Sequence, residues 1–142
     1  QQTNFRQCLM RRIHQAKTNR EPTVEIWGSG TPKREFMAVD DAADACVHVM
    51  NLSVERYGEI LGDEIAHINI GTGHECSIAS LAGTLASIIG YKGAFEFDKS
   101  KPDGTPRKLL SNDRLKRSGW TASTDLRTGL ELAYNWFIAH KA

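Results

Sequence analysis

At 142 residues, with 40% apolar and 25% charged side chains, the chain is long enough for one domain with a hydrophobic core. A net charge of +1 excludes bulk attraction to nucleic acid or to an anionic membrane, and no apolar run reaches the roughly 20 residues of a membrane span. Cys8, Cys46 and Cys76 are too few and too widely spaced for a disulfide framework or a CxxC metal site, which predicts a reducing, cytoplasmic setting.

Residues 4–17 read as a helix whose apolar stripe is Phe5, Cys8, Leu9, Ile13 and Ala16. Arg12 falls inside that stripe and Arg11 does not, so Arg12 needs a partner. Residues 24–27 form a strand that runs into the turn Gly28-Ser29-Gly30, and 34–38 make a second extended piece. Asp40 or Asp41 is a natural N-cap for a helix carrying Ala42, Cys46, Val49 and Met50 on one face and ending near 53. Residues 54–65 read as a polar connection broken at Gly58 and Gly62. A strand over 67–70 leads to the turn Gly71-Thr72-Gly73. Ser77 then caps a helix with the stripe Ile78, Leu81, Ala82, Leu85 and Ile89, closed by Gly90. Residues 94–97 are strand, 98–106 an exposed loop, and 113–118 a short helix that stops at Gly119-Trp120. The last helix, 125–140, buries Leu126, Leu130, Ala133, Tyr134 and Phe137. Helices and mixed short strands alternate, so the fold class is α/β, with 1–142 as a single region.

The same Gly-Thr-Pro turn occurs twice, at 30–32 and 104–106, each beside basic residues. Such turns leave backbone N–H groups pointing outward, and neighbouring Arg or Lys adds positive charge, a pattern suited to a phosphate-bearing ligand held between two loops. Arg12, Arg34 and Lys108 are the candidate cations, since Arg grips phosphate oxygens bidentately and Lys adds a point charge. Spacing leaves open whether the three converge. Arg107 is a spare that could face solvent, pair with Asp103 or touch ligand. Trp27 ends a strand beside the first loop, where it either packs or stacks on a base or sugar; Trp120 and Trp136 read as structural. Gly28-Ser29-Gly30 and Gly71-Thr72-Gly73 lack the third glycine and the distal acid of a dinucleotide fingerprint, so both read as tight turns. His14 reads as an exposed helix residue and His67 as a strand residue. His74 and Cys76 lack two further ligands, so no metal site is expected. The basic residues of the amino end, Arg6, Arg11, Arg12, Lys17 and Arg20, spread around their helix, against the footprint of a nucleic-acid binder.

WGSGTPKREF at 27–36, VDD at 39–41, HINIGTG at 67–73, SKPDGTPRKLL at 100–110 and GW at 119–120 together resemble the GDP-L-fucose synthase family of extended short-chain dehydrogenase/reductases. The resemblance covers the chain from about residue 9 onward. It implies the substrate-binding, carboxy-terminal half of such a fold, without the amino-terminal dinucleotide-binding Rossmann half. By resemblance the whole enzyme uses NADP(H) to convert GDP-4-keto-6-deoxy-D-mannose to GDP-L-fucose by epimerisation and reduction. Arg12, Trp27, Arg34, Asp103 and Lys108 match positions around the GDP-sugar. The family's glycine-rich NADP loop and Tyr-x-x-x-Lys pair are missing; Tyr57, Tyr91 and Tyr134 have no Lys four residues on. Asn4 stands at the family's catalytic histidine, Ala38 at another histidine and Ser111 at an acid. The chain alone is therefore expected to bind no cofactor and perform no catalysis. Its expected partners are a GDP-sugar and either the missing Rossmann half or a homodimer partner. The alternatives are a non-enzymatic nucleotide-sugar-binding or complementation module, or a non-functional truncated remnant. The start at Gln1 without Met, and the departure of the first eight residues from the family pattern, read as a fragment, a processed product or an altered upstream frame. In the family, the helix after Asp40 and the 67–70 segment pack on the cofactor domain, which implies exposed Cys46, Val49 and Ile68 here.

Overall fold

The structure is a computed structural model that describes residues 5–62 and 67–141, with side chains from Leu9 to His140 within those spans. Asn4 and the side chains of Phe5 and Cys8 lie outside the described residues. The elements, in order, are α1 (Phe5–Asn19), β1 (Thr23–Trp27), β2 (Lys33–Glu35), α2 (Val39–Met50), α3 (Val54–Leu61), β3 (Glu75–Ser77), α4 (Ile78–Ile89), β4 (Ala94–Asp98), β5 (Arg107–Lys108), α5 (Asp113–Arg117) and α6 (Leu126–Lys141). They divide into two compact units. The first comprises Gln1–Arg34, Cys76–Arg107 and Leu130–Ala142, and the second Glu35–Glu75 and Lys108–Gly129. The short strands β2, β3 and β5 pair in the order β3-β2-β5. No helix among the described residues is long and apolar enough to cross a membrane.

In the first unit, β1 and β4 pair in parallel, Thr23 opposite Ala94 through Trp27 opposite Asp98. α1 packs on both α4 and β1. Leu9, Ile13 and Ala16 of α1 are buried, as are Ile78, Leu81, Ala82, Leu85 and Ile89 of α4. Full burial of each Leu or Ile contributes about 1.5–3 kcal/mol, so α4 is the anchor of this unit. Its start is set by the Ser77 hydroxyl, which accepts from the Ser80 amide at 3.0 Å. At its end Gly90 adopts φ +75°, and Lys17 donates to the Ile89 carbonyl at 2.6 Å, satisfying an orphan acceptor of the last turn. His14 is half-buried rather than exposed. Its Nδ1 lies 3.0 Å from the Tyr134 hydroxyl and its ring meets Phe137 edge-on, because α6 covers that side of α1. On α6, Ala133 is exposed and Trp136 is 53% exposed, stacked on His140 one turn later, so Trp136 is not a core residue.

The second unit is built on Ala45, Leu115 and Trp120, with Met37, Val49, Ile68, Ile70 and Ala122 packed against them. Several expectations fail here. Neither Asp40 nor Asp41 caps α2; Ala38 holds the cap position without a side-chain bond, and both acids lie in the first turn. Asp41 is buried instead, accepting from the Ser123 hydroxyl at 2.8 Å and the Thr124 amide at 2.9 Å. α2 therefore turns Asp41 and Ala45 inward and leaves Cys46 and Met50 (82% exposed) outside. The small Ala45 side chain gives the Trp120 ring its place, and the indole N–H donates to Asp44 at 2.7 Å. Val49 and Ile68 are half-buried in this cluster rather than exposed.

The expected polar connection after α2 is the helix α3, capped by Ser53, tied by an Arg56–Glu59 pair at 2.9 Å and anchored by buried Ile60. Gly58 sits on its open side, where a side chain would meet nothing, and Gly62 at φ +64° ends it. Residues 67–70 are not strand. Their polar groups are engaged by side-chain bonds, His67 O with Arg114 at 2.9 Å and Asn69 with Ser111 O at 3.1 Å, in place of a ladder. The second extended piece shortens to β2, since 36–38 leave the strand before α2 begins.

Candidate functional site

β1 alternates, with Val24 and Ile26 inward and Glu25 and Trp27 outward. Trp27 is thus 63% exposed at the strand end. Its indole N–H donates to Glu25 Oε1 at 3.0 Å, and Lys101 Nζ lies 5.8 Å from the ring centroid, within cation–π reach. The Arg12 guanidinium, half-buried as its place in the α1 stripe requires, donates to the Glu25 carbonyl. Arg12 and Trp27 therefore meet through Glu25, a residue that sequence reasoning missed. Its only signal was its outward register two positions before Trp27.

The chain then turns through Gly28 and Gly30, both at positive φ. The Gly28 amide donates to Asp98 O at 2.9 Å, extending the β1–β4 ladder by one bond. Asp103 reaches in from the second loop and accepts from the Ser29 amide at 2.8 Å and the Ser29 hydroxyl at 2.6 Å. Two more ties follow. The Lys33 amide donates to Pro106 O at 2.9 Å, and Arg34 Nη1 donates to Lys33 O at 2.6 Å and Thr105 O at 2.7 Å. Arg34 Nη2 lies beside Gly104, where an added Cβ would stand 3.0 Å away. The two Gly-Thr-Pro turns, seventy-odd residues apart in sequence, are thus neighbours fastened at three points. Their amides do not all face outward, however. Those of Gly28, Ser29, Thr31 and Lys33 are bonded inside the loop pair, because a tight turn meets its own acceptors first.

Charge follows the same bonds. Hydrogen bonds from Ser29 hold the Asp103 carboxyl below its ordinary pKa, and bonds from Ser100 do so for Asp98. Both are carboxylates at neutral pH. Lys108, exposed in β5, belongs to the second unit. Arg12, Trp27, Arg34 and Asp103 thus place two guanidinium groups, an exposed aromatic face and a carboxylate in the first unit.

This combination, a parallel βαβ core with paired loops at the strand ends, is that of part of an extended short-chain dehydrogenase/reductase. The model of the NAD dependent epimerase/dehydratase family matches residues 1–71, and the chain belongs to that family. Among curated relatives, it is 50% identical to the GDP-L-fucose synthase of Escherichia coli (strain K12), over 94% of this chain and 42% of that protein. It is 44% identical to GDP-L-fucose synthase 1 of Arabidopsis thaliana, over 92% of this chain and 38% of that protein. The chain spans about 40% of the length of these relatives. Among solved structures it resembles a GDP-mannoheptose C4 reductase from Campylobacter jejuni with NADP bound, at TM-score 0.81 and 30% identity, over 96% of this chain and 45% of that one. A GDP-L-fucose synthetase from Naegleria fowleri bound to NADP superimposes at TM-score 0.76 with 26% identity, over 92% and 39%.

The Gly71-Thr72-Gly73 turn does not fit the pyrophosphate of such a dinucleotide. At Gly71-Thr72-Gly73 the Glu35 carboxylate already accepts from the Gly73 amide at 2.6 Å and the Thr72 hydroxyl at 3.2 Å. A Cβ on Gly71 would stand 2.7 Å from Glu35 Oε1. An internal acid occupies the donors that a pyrophosphate would need at this turn.

Proposed function

We propose that the chain is the GDP-sugar-binding part of a GDP-L-fucose synthase, the NADPH-dependent cytoplasmic enzyme that converts GDP-4-keto-6-deoxy-D-mannose to GDP-L-fucose. Arg12, Arg34 and Lys108 neutralise the diphosphate, Trp27 packs beside the nucleotide sugar and Asp103 shapes the loop. The observation that carries this reading is the fastened loop pair. Arg34 is anchored through Nη1, which pre-orients its guanidinium and lowers the ordering cost of gripping a phosphate. The 50% identity to a GDP-L-fucose synthase over nearly the whole chain supports the choice of GDP-sugar. The proton and hydride chemistry belongs to a Rossmann half, the same chain's or a partner's, and this chain by itself performs no turnover.

Calorimetric titration with GDP-mannose tests the reading. The wild type binds saturably, and Arg34→Ala and Lys108→Ala each weaken binding roughly tenfold or more, the scale of one charge-assisted contact. Lys108 is the cleaner probe because it is exposed, so its removal leaves folding intact. Failure of a cooperatively folded wild type to bind, or full affinity in Lys108→Ala, contradicts the assignment. Consumption of NADPH by the purified chain with the keto-sugar contradicts the claim of inactivity.

A further inference from the structure

The geometry points to Ser29 as a positioning residue: its amide and hydroxyl clasp the Asp103 carboxylate, and the clasp holds the 99–106 loop beside Trp27 in the shape that receives the nucleotide sugar. The inference rests on the GDP-sugar reading above.

An acid in a site for a diphosphate is unfavourable unless its charge is spoken for. Both Asp103 oxygens are: Oδ1 accepts the Ser29 amide at 2.8 Å and Oδ2 the Ser29 hydroxyl at 2.6 Å. The hydroxyl has one proton, and it goes to the carboxylate. Its lone pairs then accept from the Thr31 amide at 3.2 Å and from the Thr31 hydroxyl at 2.7 Å, which fixes the donor in that contact as Thr31. Ser29 is thereby locked in one rotamer. Gly28 makes the approach possible, because a Cβ there would stand 2.3 Å from Asp103 Oδ1. The clasp lies midway along a loop whose residues are all exposed from 99 to 106, so little packing competes with it. Two residues before Asp103, Lys101 stands over the Trp27 ring; two residues after it, the Thr105 carbonyl receives Arg34. Asp103 acts through this loop, by way of Ser29.

The test combines tryptic cleavage of the native chain after Lys99, the Lys101–Pro102 bond being resistant to trypsin, with GDP-mannose affinity in Ser29→Ala, Asp103→Ala, Asp103→Asn and the double alanine variant. Ser29→Ala and Asp103→Ala are expected to accelerate loop cleavage and to weaken binding roughly two- to tenfold, the range for one exposed hydrogen-bonded contact. The urea midpoint of global unfolding stays in place. The double variant is no weaker than Asp103→Ala, since Asp103→Ala already removes the hydroxyl bond that Ser29→Ala deletes. Asp103→Asn keeps most of the affinity, because its amide still accepts from the Ser29 N–H. Unchanged cleavage in Ser29→Ala overturns the clasp. Additive losses, or an Asp103→Asn as weak as Asp103→Ala beside a normal Ser29→Ala, overturn the positioning role and make Asp103 a direct ligand contact. A wild type that does not bind GDP-mannose removes the functional reading and the positioning role with it, while the cleavage rates still judge the clasp.

Discussion

Gly30→Ala separates two costs that a turn glycine avoids. Gly30 has φ +73°, where an L-residue costs roughly 1–2 kcal/mol. An ideal Cβ at this position would also stand 2.3 Å from Phe97 Cε1 and 2.8 Å from Cδ1. Carbon atoms pack at about 3.5–4.0 Å, so the ring must move by more than an ångström, at an overpacking cost of about 1–3 kcal/mol. The control is Gly90→Ala in the same unit. It has nearly the same φ, +75°, but only the flexible end of Lys17, 3.5 Å away, as a neighbour, so it carries the backbone cost alone. Urea unfolding followed by tryptophan fluorescence and by circular dichroism measures both. Gly90→Ala should lower stability by about 1–2 kcal/mol and Gly30→Ala by about 1–3 kcal/mol more. With an m-value of roughly 2 kcal/mol/M the extra loss is a clear shift in midpoint. Equal midpoints for the two variants would refute the claim that the Phe97 ring confines the loop.

The buried Asp41 makes stability sensitive to acid. Burial alone pushes its pKa up, but hydrogen bonds from Ser123 and Thr124 outweigh this and hold it below the ordinary 3.8. A depressed carboxylate stabilises the fold above the unfolded value and loses that contribution as pH falls through the folded one. Stability should therefore decline below pH 3.8, and Asp41→Asn should flatten that decline; an equally steep variant would dismiss the assignment. Ser77→Ala removes the cap of α4 and should cost about 1 kcal/mol, read as a melting-temperature drop of roughly 2–4 °C for a chain of this size, whereas Ser77→Asp should retain most of the stability. In the native chain Cys46 should react quickly with a thiol reagent, by mass-mapped labelling, and Cys76 slowly. The former is exposed, and the latter is half-buried with its thiol pKa raised by burial. Slow labelling of Cys46 would mean that the outward face of α2 is covered.

How much of this was legible in the sequence depends on the range of the interaction involved. α1, α4 and α6 were readable because their apolar stripes repeat over three or more turns, and β1 because it alternates. Ser77 and Gly90 marked the ends of α4 through cap chemistry that acts within four residues. The resemblance carried by the Gly-Thr-Pro motifs identified the family and nominated Arg12, Trp27, Arg34, Asp103 and Lys108 as candidate ligand contacts. α3 was hidden because Gly58 and Gly62 look like breaks, and only Ile60 and the Ser53 cap outweigh them. The 67–70 segment has the composition of a strand, but strand formation needs a partner, which no local pattern supplies.

What the sequence by itself determined was therefore the short-range inventory: amphipathic helices, caps, turns, and two basic Gly-Thr-Pro loops with a family signature. Tertiary structure alone decided which face of α2 turns inward, that Asp41 is a buried acceptor rather than a cap, and that His14 meets Tyr134. It also decided that the turn amides serve Asp103 and neighbouring carbonyls before any ligand. The reason is common to all four. A donor or an apolar face is assigned by the nearest competing partner in space, and the partners that won, Ser123 for Asp41 and Asp103 for Ser29, lie more than seventy residues away along the chain.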